Sequence, residues 1–428
     1  MATVTATPPR AALLPEGTYQ QYIDGTWTDA ASGRHIEVID PAAAEPIATV
    51  PFGDRRDTAQ ALAAAGHAMP AWAAATAYQR GPFLMRIAGL MRERVEPMAR
   101  AWTMEEGKTL AEARGELAGA AAQFEWYAEE AKRVYGEIIP THVANKRLWT
   151  TRQPVGVVGS MAAWNFPVLL QARKIAPALA AGCTVVSRPS AGTPLATMLL
   201  FECIADAGLP PGVANLVTGP AAEVAAELME NPICRKISFT GSTAVGKDLI
   251  RQSSDQVKKL SLELGGHAPM IVFDDVPAEQ AAHLAVTGKF RNMGQVCISP
   301  SRFYVHENII DAFTAETVRL TQELRLGDGL ADGTDVGPLF ELERVERTEA
   351  LIADARDRGG RVVCGGSRPT DPALAKGYFF EPTVIVDVGD DALISCEEAF
   401  APILPIYPFA SADDAIARAN HTPYGLAA

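Results

Sequence analysis

The sequence has few of the cysteine and histidine patterns that mark disulfide-bonded or metal-binding proteins. Its 428 residues include six cysteines, which are Cys183, Cys203, Cys234, Cys297, Cys364 and Cys396. They form no CxxC pair and have no histidine at metal-ligand spacing, which argues against both a zinc site and a disulfide framework. We therefore expect no metal. Dispersed, unpaired cysteines are typical of a reducing compartment, so a cytoplasmic location is expected.

Basic runs and long apolar runs are also lacking. The formal net charge is -13, which argues against nucleic acid or an anionic membrane as a partner. The longest apolar region, residues 154–186, is interrupted by Arg173 and Lys174, which argues against a membrane span. Apolar residues make up 48% of the chain and charged residues 21%, as in ordinary soluble globular proteins. A small-molecule enzyme with no nucleic-acid or membrane partner fits this composition.

The order of sequence patterns predicts an α/β protein of two or three domains. Residues 1–16 contain Pro8 and Pro9 and are expected to form a loose leader. Short strands follow, and residues 57–135 show the apolar spacing of several amphipathic helices. From Pro154 onward, short apolar runs alternate with helical stretches, and a second such series follows Cys297. This alternation is typical of doubly wound parallel sheets.

Three segments hold residues with chemical potential, and each has a structural alternative. GSTAVG follows a strand and precedes a predicted helix, so it suits either phosphate binding or a packing turn. Glu263 ends an apolar strand and is either an exposed charge or a general base. Cys297 lies in FRNMGQVCIS and is either a core residue or a nucleophile.

Taken together and in order, the motifs resemble those of the aldehyde dehydrogenase superfamily, and most closely those of succinate-semialdehyde dehydrogenases. The similar segments include PVGVVGSMAAWNFP, RKIAPALAAGCTVV, ISFTGSTAVG, LELGGHAP, FRNMGQVC, FFEPTV and EEAFAP. The resemblance implies two doubly wound (Rossmann-like) domains and a small oligomerisation β element. The NAD(P)-binding domain is expected over 17–134 and 155–264, the oligomerisation element over 135–154, and the catalytic domain over 265–428.

The resemblance also implies a catalytic set. Cys297 is expected to be the nucleophile, Asn165 the oxyanion donor acting with the backbone N–H of Cys297, and Glu263 the base that activates water. An aldehyde would then be oxidised to a carboxylate through a thiohemiacetal and a thioester. Retention of these three residues argues against a catalytically silent binding protein, and Glu263 argues against acyl transfer to coenzyme A or phosphate.

For the cofactor, the resemblance implies NADP or NAD. The expected cofactor-binding residues are Trp164, Arg188, Ser190, Ala191, Gly241, Ser242, Gly246, Glu398 and Phe400. Where many NAD-using relatives read KPSE, this chain reads RPSA, with Arg188 and Ala191 at the two changed positions. Losing a carboxylate beside an arginine removes repulsion against a 2′-phosphate, which favours acceptance of NADP.

For the substrate, the resemblance implies a small aldehyde, with succinate semialdehyde or a similar semialdehyde expected. Arg173 and Arg291 fall where succinate-semialdehyde dehydrogenases hold the substrate carboxylate, and Ser299 stands where that subgroup often has a second cysteine. An aromatic or broad-specificity aldehyde dehydrogenase is the alternative.

The resemblance finally bears on assembly. The chain ends at Ala428, within a segment that the family continues with a substrate loop, a helix and an oligomerisation strand. An incomplete oligomerisation element is therefore expected, with a homodimer or homotetramer if that segment is supplied. A catalytically silent truncated member of the fold is the other alternative.

Overall fold

The computed structural model describes residues 10–428. The first nine residues of the predicted leader lie outside this range. The described part of the predicted leader begins with a 3-10 turn, Arg10–Leu13. The Arg10 guanidinium donates a hydrogen bond from Nε to Asp40 Oδ2 at 2.7 Å and also pairs with Asp328. These contacts fasten residue 10 to the folded chain.

The helical pattern predicted over 57–135 forms four consecutive helices. They are α1 (Arg55–Ala74), α2 (Ala77–Glu93), α3 (Val95–Glu106) and α4 (Leu110–Glu130). A capping box begins α4, because the Thr109 hydroxyl accepts from the Glu112 N–H while the Glu112 carboxylate accepts from the Thr109 N–H. The turn between α3 and α4 contains Gly107, whose φ of 102° belongs to the left-handed region that favours glycine.

The first sheet has seven strands, and its parallel part carries three of the predicted motifs. The strands are β1 (Gln21–Ile23), β2 (Thr26–Thr28), β7 (Val157–Met161), β8 (Val185–Arg188), β9 (Ala214–Leu216), β10 (Cys234–Thr240) and β11 (Lys259–Glu263). Their order is β11-β10-β7-β8-β9-β1-β2, with β7 to β11 parallel and β1 antiparallel to both of its neighbours, β9 and β2. Every residue of β7 is buried, as expected for a central parallel strand.

The helices of this first unit are α5 (Pro167–Ala180), α6 (Leu195–Asp206), α7 (Ala221–Glu230) and α8 (Thr243–Ser253). Helix α5 is buried along most of its length because it packs both on the sheet and against α4. It begins with Pro167 at its first position, where a missing N–H costs nothing. The carboxyl end of β7 therefore leads directly into a buried helix.

The second sheet has five strands in the order β12-β13-β16-β15-β14. They are β12 (Ala268–Val272), β13 (Pro300–His306), β14 (Arg361–Cys364), β15 (Thr383–Val386) and β16 (Ile403–Phe409), and only β14 is antiparallel. The accompanying helices are α9 (Ala278–Phe290), α10 (Ile310–Glu323), α11 (Leu342–Asp357), α12 (Leu393–Cys396) and α13 (Ala412–Asn420). Together with the first sheet, this arrangement confirms the predicted α/β class with parallel sheets.

Two hairpins lie outside both large sheets. They are β3 (His35–Asp40) with β4 (Glu45–Pro51), and β5 (Glu137–Ile139) with β6 (Leu148–Thr150). The second hairpin lies within the predicted oligomerisation element and exposes Ile138 and Trp149. The predicted domain limits and the oligomeric role of this hairpin stay predictions. None of the helices in residues 10–428 combines the length and apolar composition that crossing a bilayer requires.

Replacing Gly107 with alanine should destabilise the fold. A Cβ at Gly107 would lie 2.9 Å from Pro338 Cγ and would be held at positive φ. We expect Gly107→Ala to cost about 1–3 kcal/mol, seen as a lower thermal midpoint by differential scanning calorimetry. Gly115→Ala is the matched control, because Gly115 lies inside α4 with nothing within 4 Å of its Cβ position. It should stabilise by ~0.5–1 kcal/mol, and equal shifts for both variants would contradict this account.

Candidate active site

The carboxyl ends of neighbouring parallel strands bring the predicted motifs together. Strand β7 ends just before Trp164 and Asn165, β10 ends just before Gly241, and β11 ends at Glu263. These three strands are neighbours in the order β11-β10-β7. Ligands of open α/β sheets bind at this edge, because the loops that leave the strands converge there.

A cavity of about 580 Å³ lies beside this edge. Its lining brings together Cys297 and Glu263 with four cationic side chains, Arg173, Lys174, Lys236 and Arg291. The apolar part of its wall includes Phe166, Leu169, Leu170, Val296 and Ile298. The predicted nucleophile, the predicted base and both predicted carboxylate-binding arginines therefore share one cavity.

An unusual backbone precedes Cys297. After α9 the chain passes through left-handed φ values of 47° at Asn292, 54° at Met293 and 72° at Gly294. Asn292 is held there because its Nδ2 donates to Glu106 Oε1 at 2.9 Å and its backbone N–H donates to Glu112 Oε1 at 2.7 Å. This turn presents Cys297 half-buried at the cavity wall.

The electrostatic surroundings of the Cys297 thiol favour its neutral form. Burial raises the pKa of Cys297, and the carboxylate of Glu398 raises it further, with a smaller effect from Glu263. Its own backbone N–H and that of Ile298 act in the opposite direction. The thiol is therefore accessible from the cavity but disfavoured as a thiolate in this state.

Asn165 is buried and links two strand-end loops. Its Nδ2 donates to the Gln295 carbonyl at 2.9 Å, two residues before Cys297. Its own carbonyl accepts from Lys108 Nζ at 2.8 Å. The side-chain amide thus lies beside the nucleophile loop, and its role as an oxyanion donor stays a prediction.

Glu263 lies exposed at the end of β11, and its carbonyl accepts from the Gly241 N–H at 3.1 Å. Beside it is Lys174, a residue to which the sequence assigned no role. Lys174 is 5% exposed, and its Nζ donates to Thr240 Oγ1 at 2.5 Å. Burial lowers the pKa of Lys174 to about 8, while Glu263 acts to raise it. The sequence feature that could have indicated a role for Lys174 is its position in a largely apolar helix.

The predicted phosphate-binding turn has a compact geometry. The Ser242 hydroxyl caps α8 by accepting from the Val245 N–H, and Gly246 lies against Leu264, where a Cβ would come within 2.5 Å of Leu264 Cδ2. The first N–H groups of α8 and the glycine at 241 suit a pyrophosphate. Arg188 lies farther along the same edge, and its guanidinium donates to the Gly219 carbonyl at 2.9 Å.

Ser190 and Ala191 follow β8 directly and are both partly exposed. They lie two and three residues beyond Arg188, at the same carboxyl edge of the first sheet. The small alanine side chain leaves no carboxylate at this point of the predicted adenosine site. The cofactor-binding roles of all three residues stay predictions.

Glu398, Phe400 and Trp164 come together between the two sheets. Glu398 Oε1 accepts from the Gly266 N–H at 3.1 Å, and a Cβ on Gly265 would lie 2.5 Å from Glu398 Oε2. The Trp164 ring packs edge-on against Phe400, with centroids 5.6 Å apart. It also stacks on Phe340 at 4.3 Å, a contact that the sequence did not predict.

The three predicted substrate-binding residues have different environments. Arg173 is exposed at the cavity, whereas Arg291 Nη2 donates to Glu116 Oε1 at 3.2 Å. Ser299 is buried, donates to the Gly288 carbonyl at 3.1 Å, and does not line the cavity. The structure therefore brings the two arginines to the site but leaves Ser299 behind the wall, because its hydroxyl bonds the end of α9.

Comparison with known proteins gives a consistent match. Residues 27–428 match the aldehyde dehydrogenase family. The chain belongs to that family. It is 46% identical over 409 residues to an NADP-dependent succinate-semialdehyde dehydrogenase of Escherichia coli K12, covering 96% of this chain and 84% of that protein. It is 45% identical to a glutarate-semialdehyde dehydrogenase of Pseudomonas aeruginosa, covering 95% and 84%.

Solved structures agree with this assignment. The structure of succinate-semialdehyde dehydrogenase from Burkholderia pseudomallei has a TM-score of 0.93 and 42% identity, covering 98% of this chain and 85% of that chain. An NADP-dependent enzyme from E. coli also has a TM-score of 0.93, at 45% identity with 95% and 84% coverage. The predicted family, its fold and its class as an NAD(P)-dependent oxidoreductase acting on aldehydes are confirmed.

In this aldehyde dehydrogenase without ligands, the alkylation rate of Cys297 should rise with pH. Its midpoint should lie above the ordinary thiol pKa of ~8.5. The measurement is the pH dependence of iodoacetamide alkylation, followed by mass spectrometry of the Cys297 peptide. Glu398→Gln and Glu263→Gln should each lower the titration midpoint, because each removes a negative charge that disfavours the thiolate. Cys297→Ser controls for alkylation elsewhere. A midpoint at or below the ordinary range would contradict the described electrostatics.

Proposed function

We propose that the protein oxidises small aldehydes with an anionic tail, with succinate semialdehyde as the first candidate, to the corresponding dicarboxylates. The observation that carries this proposal is the presence of Arg173 and Arg291 in the same cavity as Cys297. Guanidinium groups bind carboxylates through charge-assisted hydrogen bonds and are the side chains best suited to hold such a tail. The names of the succinate- and glutarate-semialdehyde dehydrogenases among its relatives support the same substrate class.

In the proposed reaction, Cys297 Sγ releases its proton to solvent water and forms a bond to the aldehyde carbon. The resulting oxyanion is stabilised by the Cys297 backbone N–H and by the Asn165 amide; losing one such donor typically costs about 10²–10³ in rate. NAD(P)⁺, when held by the residues expected to bind it, would accept the hydride from the aldehyde carbon, and the carbonyl would re-form as a thioester on Cys297. Glu263 then takes a proton from water, the water oxygen attacks the thioester, and the C–S bond breaks to return the thiolate.

The cationic side chains of the cavity suit a reaction with an anionic substrate and an oxyanion intermediate. Lys174 lies buried against Thr240 and close enough to Glu263 to interact with its carboxylate. Together with the two arginines, it makes the cavity locally cationic in a chain of net charge -13. An anionic substrate is therefore attracted to this cavity rather than to the surface at large.

An aromatic or longer aldehyde is the second candidate. The apolar wall formed by Phe166, Leu169 and Leu170 suits a hydrocarbon or a ring. At about 580 Å³ the cavity is larger than a four-carbon semialdehyde needs. This observation supports substrates in which the anionic tail is carried on a longer body.

For the cofactor we propose that NADP is accepted and preferred. Arg188 is the last residue of β8, and Ala191 lies three residues beyond it. A 2′-phosphate on the adenosine ribose would therefore face a basic side chain there and would not be repelled by a carboxylate. The E. coli relative is named as NADP-dependent, which supports the same preference.

The cofactor proposal can be tested by initial rates of reduced-cofactor formation with NADP and NAD. We expect kcat/KM to favour NADP, and Ala191→Glu should lower the NADP value by about 10-fold, or ~1.4 kcal/mol, through repulsion of the 2′-phosphate. Ala350→Glu, on exposed α11, adds the same charge far from the site and should change neither value. A strong preference of the unmodified enzyme for NAD would contradict the proposal.

The substrate proposal can be tested with succinate semialdehyde and butanal, which has a methyl group in place of the carboxylate. Arg173→Met and Arg291→Met should each raise KM for succinate semialdehyde about 10–100-fold while changing KM for butanal little. Arg361→Met, on exposed β14, is the control, and Cys297→Ala should abolish turnover of both aldehydes. Equal effects of the arginine variants on the two substrates would favour the aromatic or broad-specificity alternative.

A further inference from the structure

Lys108 is a buried cation to which no role in the reaction has been assigned above. Its residue is 1% exposed, and its Nζ donates to the Asn165 carbonyl and to Glu116 Oε2, both at 2.8 Å. The same Nζ lies 4.0 Å from the centroid of the Phe166 ring and 4.6 Å from that of Trp102. Removing an ammonium from water costs several kcal/mol, so a lysine is retained here only with such a complete set of partners.

One contact connects Lys108 to the catalytic residues. The bonded carbonyl belongs to Asn165 itself, and the next residue, Phe166, forms part of the cavity wall. The bond therefore fixes the peptide plane between the oxyanion donor and the wall. Since the Asn165 amide donates to the Gln295 carbonyl, the same anchor also supports the loop that leads to Cys297.

A second contact connects Lys108 to the anion-binding side. Glu116 is buried, with one oxygen bonded to Lys108 and the other accepting from Arg291 Nη2 at 3.2 Å. Arg291 Cζ also lies 5.2 Å from the centroid of the Phe166 ring. Glu116 can hold Arg291 in this orientation only while its own position is fixed, and Lys108 is the buried cation that fixes it.

We propose that Lys108 is a positioning residue that couples the oxyanion-binding side of the site, through Asn165, to the anion-binding side, through Glu116 and Arg291. This inference rests on the roles proposed above for Asn165 and Arg291. A positioning role for Lys108 differs from that of a purely structural ion pair in one measurable respect. A structural pair would affect all aldehydes equally, whereas a positioning residue with two arms changes kcat for every aldehyde and KM mainly for those with an anionic tail.

The test measures kcat and KM of the full chain with saturating NADP, using succinate semialdehyde and butanal. Lys108→Met keeps the length of the side chain and removes its charge and its donors. We expect kcat to fall about 10–100-fold with both aldehydes, because small misplacements of catalytic groups have effects of this size. We also expect KM for succinate semialdehyde to rise about 10-fold more than KM for butanal. Lys108→Arg, which keeps the charge, should restore part of both losses.

Two further variants keep the outcome interpretable. If Lys108→Met does not fold, as judged by circular dichroism and calorimetry, Glu116→Gln decides, since it removes the carboxylate shared by Lys108 and Arg291 and leaves the bond from Lys108 to the Asn165 carbonyl in place. It should raise KM for succinate semialdehyde selectively and leave kcat with butanal within about threefold. In the double variant Lys108→Met with Arg291→Met, KM for succinate semialdehyde should not exceed that of Arg291→Met alone, because both changes act on one interaction.

The results that overturn the inference are distinct from those that overturn the proposed function. If Lys108→Met changes both aldehydes equally in KM and leaves kcat intact, or if the double variant is additive, Lys108 is not a positioning residue. Asn165→Ala and Arg291→Met are measured in parallel. If these leave kcat and KM unchanged, the residue roles proposed above fail, and the inference about Lys108 fails with them. Lys132→Met, at a partly exposed lysine just after α4, controls for loss of a surface charge.

Discussion

The site depends on a small group of ionisable side chains buried between the helical layer and the strand-end loops. Glu106, Lys108 and Glu116 are all 5% exposed or less and lie near the junction of α3 and α4. Asn165 bonds Lys108, while Asn292 bonds Glu106 from the loop before Cys297. Buried polar and ionisable groups cannot exchange partners for water, so any displacement of these loops would leave one of them without its hydrogen-bond partner. This constraint explains how a turn with three successive left-handed residues is maintained.

The active site has two sides that differ in chemistry. On one side, the turn at Gly241 and the N-terminus of α8 offer backbone N–H groups at the edge of the first sheet. On the other, Arg173, Lys174 and Arg291 line a cavity whose wall also has a large apolar part. Cys297 lies between the two, on the segment that joins α9 to β13. The overall acidity of the chain does not predict the local field, because the local field depends on which few side chains share the cavity.

The two carboxylates that are proposed to take part in the reaction also disfavour ionisation of the resting Cys297 thiol. Glu398 and Glu263 both raise the pKa of Cys297, as does burial. A neutral thiol reacts slowly with oxidants, since the thiolate is the reactive species. These surroundings favour the neutral thiol for as long as the charges and hydrogen bonds around Cys297 stay as described.

The sequence by itself determined the family, the α/β class and the catalytic candidates, because short motifs such as GQVC and LELGG occur together and in order. It also indicated that Glu263 ends one strand and that GSTAVG follows another, since local apolar patterns set strand limits. That these two strands are neighbours was decided by the tertiary structure. The sequence assigned no role to Lys108, Lys174 or Phe340, and it placed Ser299 at the substrate. The tertiary structure decided these points, because they depend on contacts between distant segments. Lys108 and Asn165 are separated by 57 positions and Glu116 and Arg291 by 175, and no local pattern records which of them meet.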